Sequence, residues 1–482
     1  MNKALIIPLA LYIVANLALG LYVSRKHRSQ SLEDFYLAGR SLGGFVLALT
    51  LVTTFASASS FIGGPGIASR LGLSWVYLAL IQVPTAWVTL GVLGKRFAIV
   101  ARRTQCLTIT SFLEGRYQSK GVARCASLAL MIFFLAAMTA QFVGGARLFQ
   151  AVTGLNYQLC LFLFTGTVAL YTCFGGARAV ALTDTLQGFV MMTGTALLLF
   201  AVARGAGGFG AAFAALEAKD PALVSVHGPG GAVSWPQLVS FWALVCFAVV
   251  GLPHTAGRCL SYNTSRAMHR AMVVSTPVMT FILLGMTLCG AFAPLFLSGV
   301  ESDLMMPTLA IKLLPGWAAG VFLAGPIAGM MSTLDSQLLQ MAATVTQDLT
   351  HLGHGDEKKA HRWARLLTLI LGLVVCLLAL NPPELLVWLN LFALGGLEAV
   401  FLWPLVLGLY WKKGGSCAAY CSMLCGLGSY FLFRHIPLGG AHEVLPTLVV
   451  SLLAYGVGAY LGPQPEARQL EPYFNDSFRR PE

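Results

Sequence analysis

The stretch 50–66, TLVTTFASASSFIGGPG, starts as a lipid-crossing helix and cannot finish as one. Its apolar opening gives way to Thr53, Thr54, Ser57, Ser59 and Ser60, and Gly63, Gly64, Pro65 and Gly66 follow. Glycine and proline both work against a continuous helix. Backbone released from helical bonding inside a bilayer must find another partner. A second segment, 245–257, VCFAVVGLPHTAG, carries Gly251 and Pro253 in a comparable place. Paired interruptions of this kind point to a binding site built from discontinuous helices. Two kinked packing helices would leave the same letters, so both readings stand at this level.

The rest of the chain supplies the setting. Of 482 residues, 57% are apolar and 10% charged, whereas a soluble domain carries about 25% charged residues. Apolar runs long enough for a hydrocarbon core of about 30 Å recur. They fall at 4–23, 43–68, 73–93, 123–146, 156–175, 183–203, 236–257, 272–295, 313–345, 366–380, 384–411, 416–434 and 445–462. The expected fold is an all-α membrane protein of about thirteen transmembrane helices. The first run has its basic cluster, Arg25, Lys26 and Arg28, behind it and not in front, so it reads as a retained helix and not a signal peptide.

The formal charge of +12 would suit nucleic acid, but its placement is topological. With the N-terminus outside, alternation over thirteen spans puts 24 of the 31 lysines and arginines on the cytoplasmic side. The C-terminus is then cytoplasmic, and no nucleic-acid partner is implied. The polar stretches 94–122, 204–235 and 346–365 are too short or irregular for a folded domain. The whole of 1–462 therefore reads as one transmembrane domain, with a polar, mobile tail at 463–482. A sensor would need an output module, and none is visible. Eleven cysteines show no paired spacing. Cys417, Cys421 and Cys425 share a helix face without His or acid neighbours, as small packing residues do.

The ninth run contains GPIAGMMSTLDSQLLQ, residues 325–340. Ser332 and Thr333 offer adjacent hydroxyls, with the Gly329 carbonyl one turn earlier. Together with carbonyls from an unwound helix they could surround a sodium ion; alternatively, each hydroxyl bonds back to its own helix. Three acids lie within runs, where a carboxylate costs about 2.5–3.5 kcal/mol at the bilayer centre. Asp184 either attracts a cation leaving inward or caps a helix start. Asp335, two residues past Thr333, points away from the hydroxyl pair. Glu398 sits among glycines, as a buried acid joining two helices would. No Walker-type loop, HExxH cluster or nucleophile–base arrangement is present, and His254 reads as structural. The chain is not expected to be an enzyme.

AGRSLGGF (38–45), SASSFIGGPG (57–66), GG…TDTLQG (175–188), GLPHTAGR (251–258), MSTLDSQLL (331–339) and QDL (347–349) resemble the sodium/solute symporter family. QFVGGARL (141–148), LVCFAVVGLPHTAGRCLSY (244–262) and the run 382–411 resemble, more narrowly, its bacterial pantothenate-carrying members. The resemblance implies sodium-coupled symport of pantothenate by alternating access, in a bacterial inner membrane. It also implies a LeuT-like pair of inverted five-helix repeats, about 43–203 and 236–411. Sodium would be held by the carbonyls of Thr53, Ala56 and Gly329 and the hydroxyls of Ser332 and Thr333. Asp184 would lie on the ion pathway. The substrate would meet Ser57, Ser59, Ser60, Phe61, Gln141, Cys246, Phe247 and Val249, its carboxylate at the N-terminal end of the half-helix near Ser57. Position 55 is Phe where some relatives have an aspartate, so that helix lends no charge to a second sodium site. Arg258 is expected to anchor the cytoplasmic end of the seventh span.

Overall fold

A computed structural model describes residues 3–26, 31–350, 357–381 and 386–474. Arg28, Arg479 and Arg480 of the charge pattern lie outside the described residues. So do 382–385, at the start of the run 382–411, and the end of the tail, 475–482.

Helices make up nearly all of the fold. Among the described residues, ten are long and apolar enough to cross a bilayer, and eleven with one bent pair. The thirteen expected runs differ from that count in two places. The fifth and sixth are continuous within Tyr157–Gly205, 49 residues long, where Gly176 alone is non-helical at φ 60° and ψ −170°. A straight helix of that length would measure about 73 Å, more than twice a hydrocarbon core, so the chain turns at Gly176. A side chain there would strike Phe35. The seventh run is too short to pass as one helix, because it is broken: Trp235–Gly251 is followed by an extended residue and then by Pro253–Arg258.

Both interruptions follow from their letters. Gly44–Phe55 stops at Ala56, which is extended, and a five-residue π-turn, Ser59–Gly63, leads into Gly64–Leu71. The two halves bend by 67°. In the other break Leu252 is extended at φ −75° and ψ 120°. The residue before a proline is pushed to that region, and Pro253 then starts a helix where no N–H donor is needed.

The ninth span, Gly316–Leu349, is the central mast, with 89% of its apolar window buried. It packs on Tyr157–Gly205, Lys3–Lys26, Lys120–Thr153 and Gly44–Phe55. Ala318, Ala319, Gly320, Ala324, Gly325, Ala328 and Gly329 give it the small surface that close helix approach in lipid requires. At the far end of the molecule, Arg116 is almost wholly buried. Its guanidinium donates to the carbonyls of Gly408 (2.7 Å), Trp411 (3.0 Å) and Gly414 (3.1 Å), closing the end of Leu386–Tyr410.

The tail needs a correction. Residues 467–474 form a helix, and its Tyr473 is 3% exposed, edge-on to Phe112 at 5.9 Å. Two adjacent aromatics, Tyr473 and Phe474, give a polar segment an apolar face, and the Arg116 guanidinium stacks over both.

Candidate ion and substrate site

The first break and the ninth span meet at a cluster of neutral oxygens. Ser332 Oγ is 2.7 Å from the carbonyl oxygen of Thr53 and 3.0 Å from that of Gly329. Thr333 Oγ1 is 3.0 Å from the Thr54 carbonyl and 2.9 Å from that of Gly329. The Ala56 carbonyl completes the group: a Cβ added to Gly329 would lie 2.7 Å from it. Only glycine lets the mast come this close to the broken strand of backbone. All six residues are buried.

The Thr53, Thr54 and Ala56 carbonyls belong to the C-terminal end of the half-helix Gly44–Phe55, where the macrodipole is negative. Hard oxygen donors of this type suit an alkali cation, and unwound carbonyls beside a half-helix end are its usual support in transporters. The expected residues Thr53, Ala56, Gly329, Ser332 and Thr333 thus share one place, with the Thr54 carbonyl as an additional oxygen that sequence reading passed over.

One turn below lies a charged network. The Arg258 guanidinium is 3.1 Å from Asp184 Oδ2 and 3.2 Å from Thr54 Oγ1, and it also bonds Ser336 Oγ. Thr50 donates to the same Asp184 oxygen. Asp184 is therefore neither exposed nor a helix cap: it is fully buried, eight residues past Gly176. Asp335 turns to the other side, accepting from Tyr171 at 2.8 Å. Glu398 is fully buried, and neither carboxyl oxygen has a partner among the described residues.

Next to the ion cluster is a chamber of about 80 Å³. Ser57, Ser59 and Ser60 line it, with Thr54, Thr333, Gln82, Gln337, Asn390 and His254 as further polar walls. Trp75 and Phe241, edge to face at 6.0 Å, lie at an apolar side. Chambers that hold small ligands usually measure about 300–1,000 Å³, so this one must widen to admit a solute.

Four expected substrate residues fall elsewhere. Phe61 is fully buried behind the chamber wall, against Gly325. Cys246 and Val249 are buried in packing, and Phe247 is 55% exposed on the outside. Val245, Leu252 and His254 take their places. The reason is register: a π-turn, Ala243–Phe247, and a 3₁₀ turn, Ala248–Gly251, rotate the side chains away from ordinary helical spacing. The half-helix near Ser57 also lacks free donors. Ala58 N–H donates to Gln141, Ser59 N–H to Ser57 Oγ, and the N–H groups of Ser60 and Phe61 to the Ser57 carbonyl. A carboxylate must therefore use side chains there.

Gln141, a fifth expected substrate residue outside the chamber lining, supports the break instead. Its Oε1 accepts from Ala58 N–H at 3.0 Å, and its Nε2 donates to Asn390 Oδ1 at 3.4 Å. Asn390 in turn donates to Ser59 Oγ at 3.2 Å. Removing Gln141 strands a buried N–H, which costs about 1–3 kcal/mol. Gln141→Ala is expected to lower the thermal unfolding midpoint of the purified protein in detergent. An unchanged midpoint would mean that Ala58 finds another acceptor. Asn390, Gln82 and Gln337 carry a signal in the sequence: like Gln141 they are amides, which are scarce inside apolar runs.

Residues 35–426 match the sodium:solute symporter family. The chain belongs to that family. It is 47% identical over 471 residues to the sodium/pantothenate symporter of Haemophilus influenzae, covering 96% of this chain and 97% of that one. It is 46% identical over 470 residues to the sodium/pantothenate symporter of Escherichia coli, with the same coverage. The osmoregulated proline transporter of Bacillus subtilis is 30% identical, with 94% of each chain covered. Among solved structures, a sodium-coupled sialic acid symporter in a substrate-bound, outward-open state superposes with a TM-score of 0.84 at 17% identity. It covers 96% of this chain and 99% of its own. The transporter Mhp1 superposes at 0.54 and 15% identity. The fold is LeuT-like, and the chain is a multi-pass membrane transporter of a sodium-coupled family, not an enzyme.

Proposed function

We propose that this symporter carries pantothenate into a bacterial cell with sodium, by alternating access across the cytoplasmic membrane. The observation that carries the reading is the oxygen cluster that Ser332 and Thr333 form with the broken backbone of the second span. Sodium bound there ties the mast to the half-helix Gly44–Phe55 and fixes the break beside the chamber. Binding of the ion thereby favours the arrangement that accepts substrate, which is what coupling requires. Ser57, Ser59, Ser60 and Asn390 offer donors to a carboxylate. Gln82 and Gln337 suit the amide and hydroxyls of pantothenate, and Trp75 and Phe241 its geminal methyls. Asp184 lies one turn along, on the path by which the ion would leave. In this reading the N-terminus is outside and the C-terminus cytoplasmic, and the repeats run over about 43–203 and 236–411.

The test is uptake of labelled pantothenate into proteoliposomes with and without an inward sodium gradient, competed by a panel of carboxylates, amino acids and sugars. Sodium-dependent accumulation that only pantothenate competes is expected. Sodium-driven uptake of labelled proline with no pantothenate uptake would overturn the substrate. Uptake indifferent to sodium would overturn the coupling.

A further inference from the structure

One aromatic ring in the tail is shared by three cations from three separate segments. Phe474 ends the helix Ala467–Phe474. Its ring centre lies 5.2 Å from the Arg96 guanidinium, 5.3 Å from that of Arg116 and 5.8 Å from Lys412 Nζ. Arg96 belongs to the third span, Leu73–Thr104, and Arg116 to the short helix Ile109–Tyr117. Lys412 stands in the turn that follows Leu386–Tyr410. In the topology proposed above, all three meet at the cytoplasmic end. Tyr473 anchors the ring from beside it, edge-on to Phe112 and almost wholly buried. Gly115 leaves room for its hydroxyl, since an added Cβ would lie 2.6 Å from that oxygen.

Two of the segments joined in this way are walls of the chamber. Leu73–Thr104 gives it Trp75, Leu78 and Gln82, and Leu386–Tyr410 gives it Asn390, Leu391 and Leu394. Toward the cytoplasmic end the chamber is followed by a cavity of about 30 Å³, which shares His254 with it and is also lined by Gln340, Gly257 and Leu107. That is room for a water or two. A solute cannot leave this way until the walls part at their cytoplasmic ends.

Like charges brought this close repel one another. The negative face of a single ring attracts all three, and more strongly where water is excluded. Arg116 is fixed independently by the carbonyls of Gly408, Trp411 and Gly414. Arg96 also stacks on Tyr410 at 4.6 Å, so the ring reinforces a contact that runs directly between the two walls.

We infer that the tail helix is a built-in clasp: Phe474, beneath Arg96, Arg116 and Lys412, holds the cytoplasmic ends of two chamber walls together and opposes inward opening. The clasp contacts exist only in the closed arrangement, so their loss shifts the population toward the open one. None of the ion or substrate residues is touched. The inference rests on the proposed alternating access and not on the identity of the solute.

The test is thiol accessibility in the full-length protein in nanodiscs, where both faces meet the reagent. Gln340→Cys places a thiol on the wall of the inner cavity. Its labelling rate with a water-soluble maleimide is read on its own peptide by mass spectrometry. Phe474→Ala and Phe474→Leu, each added to Gln340→Cys, are expected to speed that labelling about fivefold, the worth of one cation–π contact near the surface. Phe474→Trp keeps an aromatic face and should leave the rate low. Native Cys289, fully buried near the outer end of Ser265–Phe292, is the internal control. Labelling that rises equally at Cys289 would mean general loosening, and overturns the clasp. Phe474→Leu as slow as Phe474→Trp would reduce Phe474 to apolar packing and overturns it too, as does a rate unchanged in all three variants.

Discussion

Ser332→Ala and Thr333→Ala are each expected to raise the sodium concentration for half-maximal uptake by about tenfold or more. A hydrogen-bond-like contact to a charged group is worth about 1.5–3 kcal/mol, and about 1.4 kcal/mol is a factor of ten in affinity. Each hydroxyl reaches both the mast carbonyl of Gly329 and a carbonyl of the broken helix, Thr53 for Ser332 and Thr54 for Thr333. Loss of either removes a ligand of the proposed ion site and a tie between the two spans. Ser332→Thr and Thr333→Ser keep the oxygen and should lose much less. Sodium titrations of initial uptake rate, with each variant quantified in the membrane, decide it. An alanine variant with unaltered sodium dependence would remove that residue from the ion site.

The second large effect concerns Arg258. Its guanidinium is the cation facing Asp184 at 3.1 Å, with both side chains almost fully buried. Removing one partner of such a pair costs about 3–5 kcal/mol, chiefly because the other charge is left unpaired in a low-dielectric interior. Arg258→Gln is therefore expected to lower the thermal unfolding midpoint in detergent sharply and to abolish uptake. Combining it with Asp184→Asn should restore much of the stability, since the stranded charge is gone. A double variant no more stable than the single one would show that Arg258 matters through Thr54 and Ser336 and not through the acid.

Much of this was legible in the letters, and the limits have physical causes. Gly63, Gly64, Pro65 and Gly66, and Gly251 with Pro253, marked the two breaks because glycine and proline act locally. Ser332, Thr333 and Gly329 sit within one turn, so their convergence could be read from helical spacing. The Arg258–Asp184 pair could not, because 74 residues separate its members and no local rule joins them. The chamber side of the second break was also hidden. An apolar run does not announce a π-turn followed by a 3₁₀ turn, and those turns bring Val245 and Leu252 inward in place of Cys246 and Val249. Asn390 and Gln82 are single amides in long apolar runs; their rarity marks them, but no neighbouring pattern assigns them a role. The tail shows the same limit from the other side: Tyr473 looked like one residue in a polar segment until Arg116 and Phe112 were seen beneath it.

The oxygen cluster has one further consequence. Its ligands are carbonyls and hydroxyls, and none carries a formal charge. A sodium ion entering it brings a positive charge that its ligands do not offset, and the solute's own carboxylate supplies the opposite one. With one ion and one monoanion per cycle, the loaded carrier crosses electrically neutral and the ion site returns without charge. Membrane voltage then does no net work on the cycle. The sodium concentration ratio alone sets the ceiling on accumulation, about tenfold inside over outside for each tenfold of sodium, or about 1.4 kcal/mol.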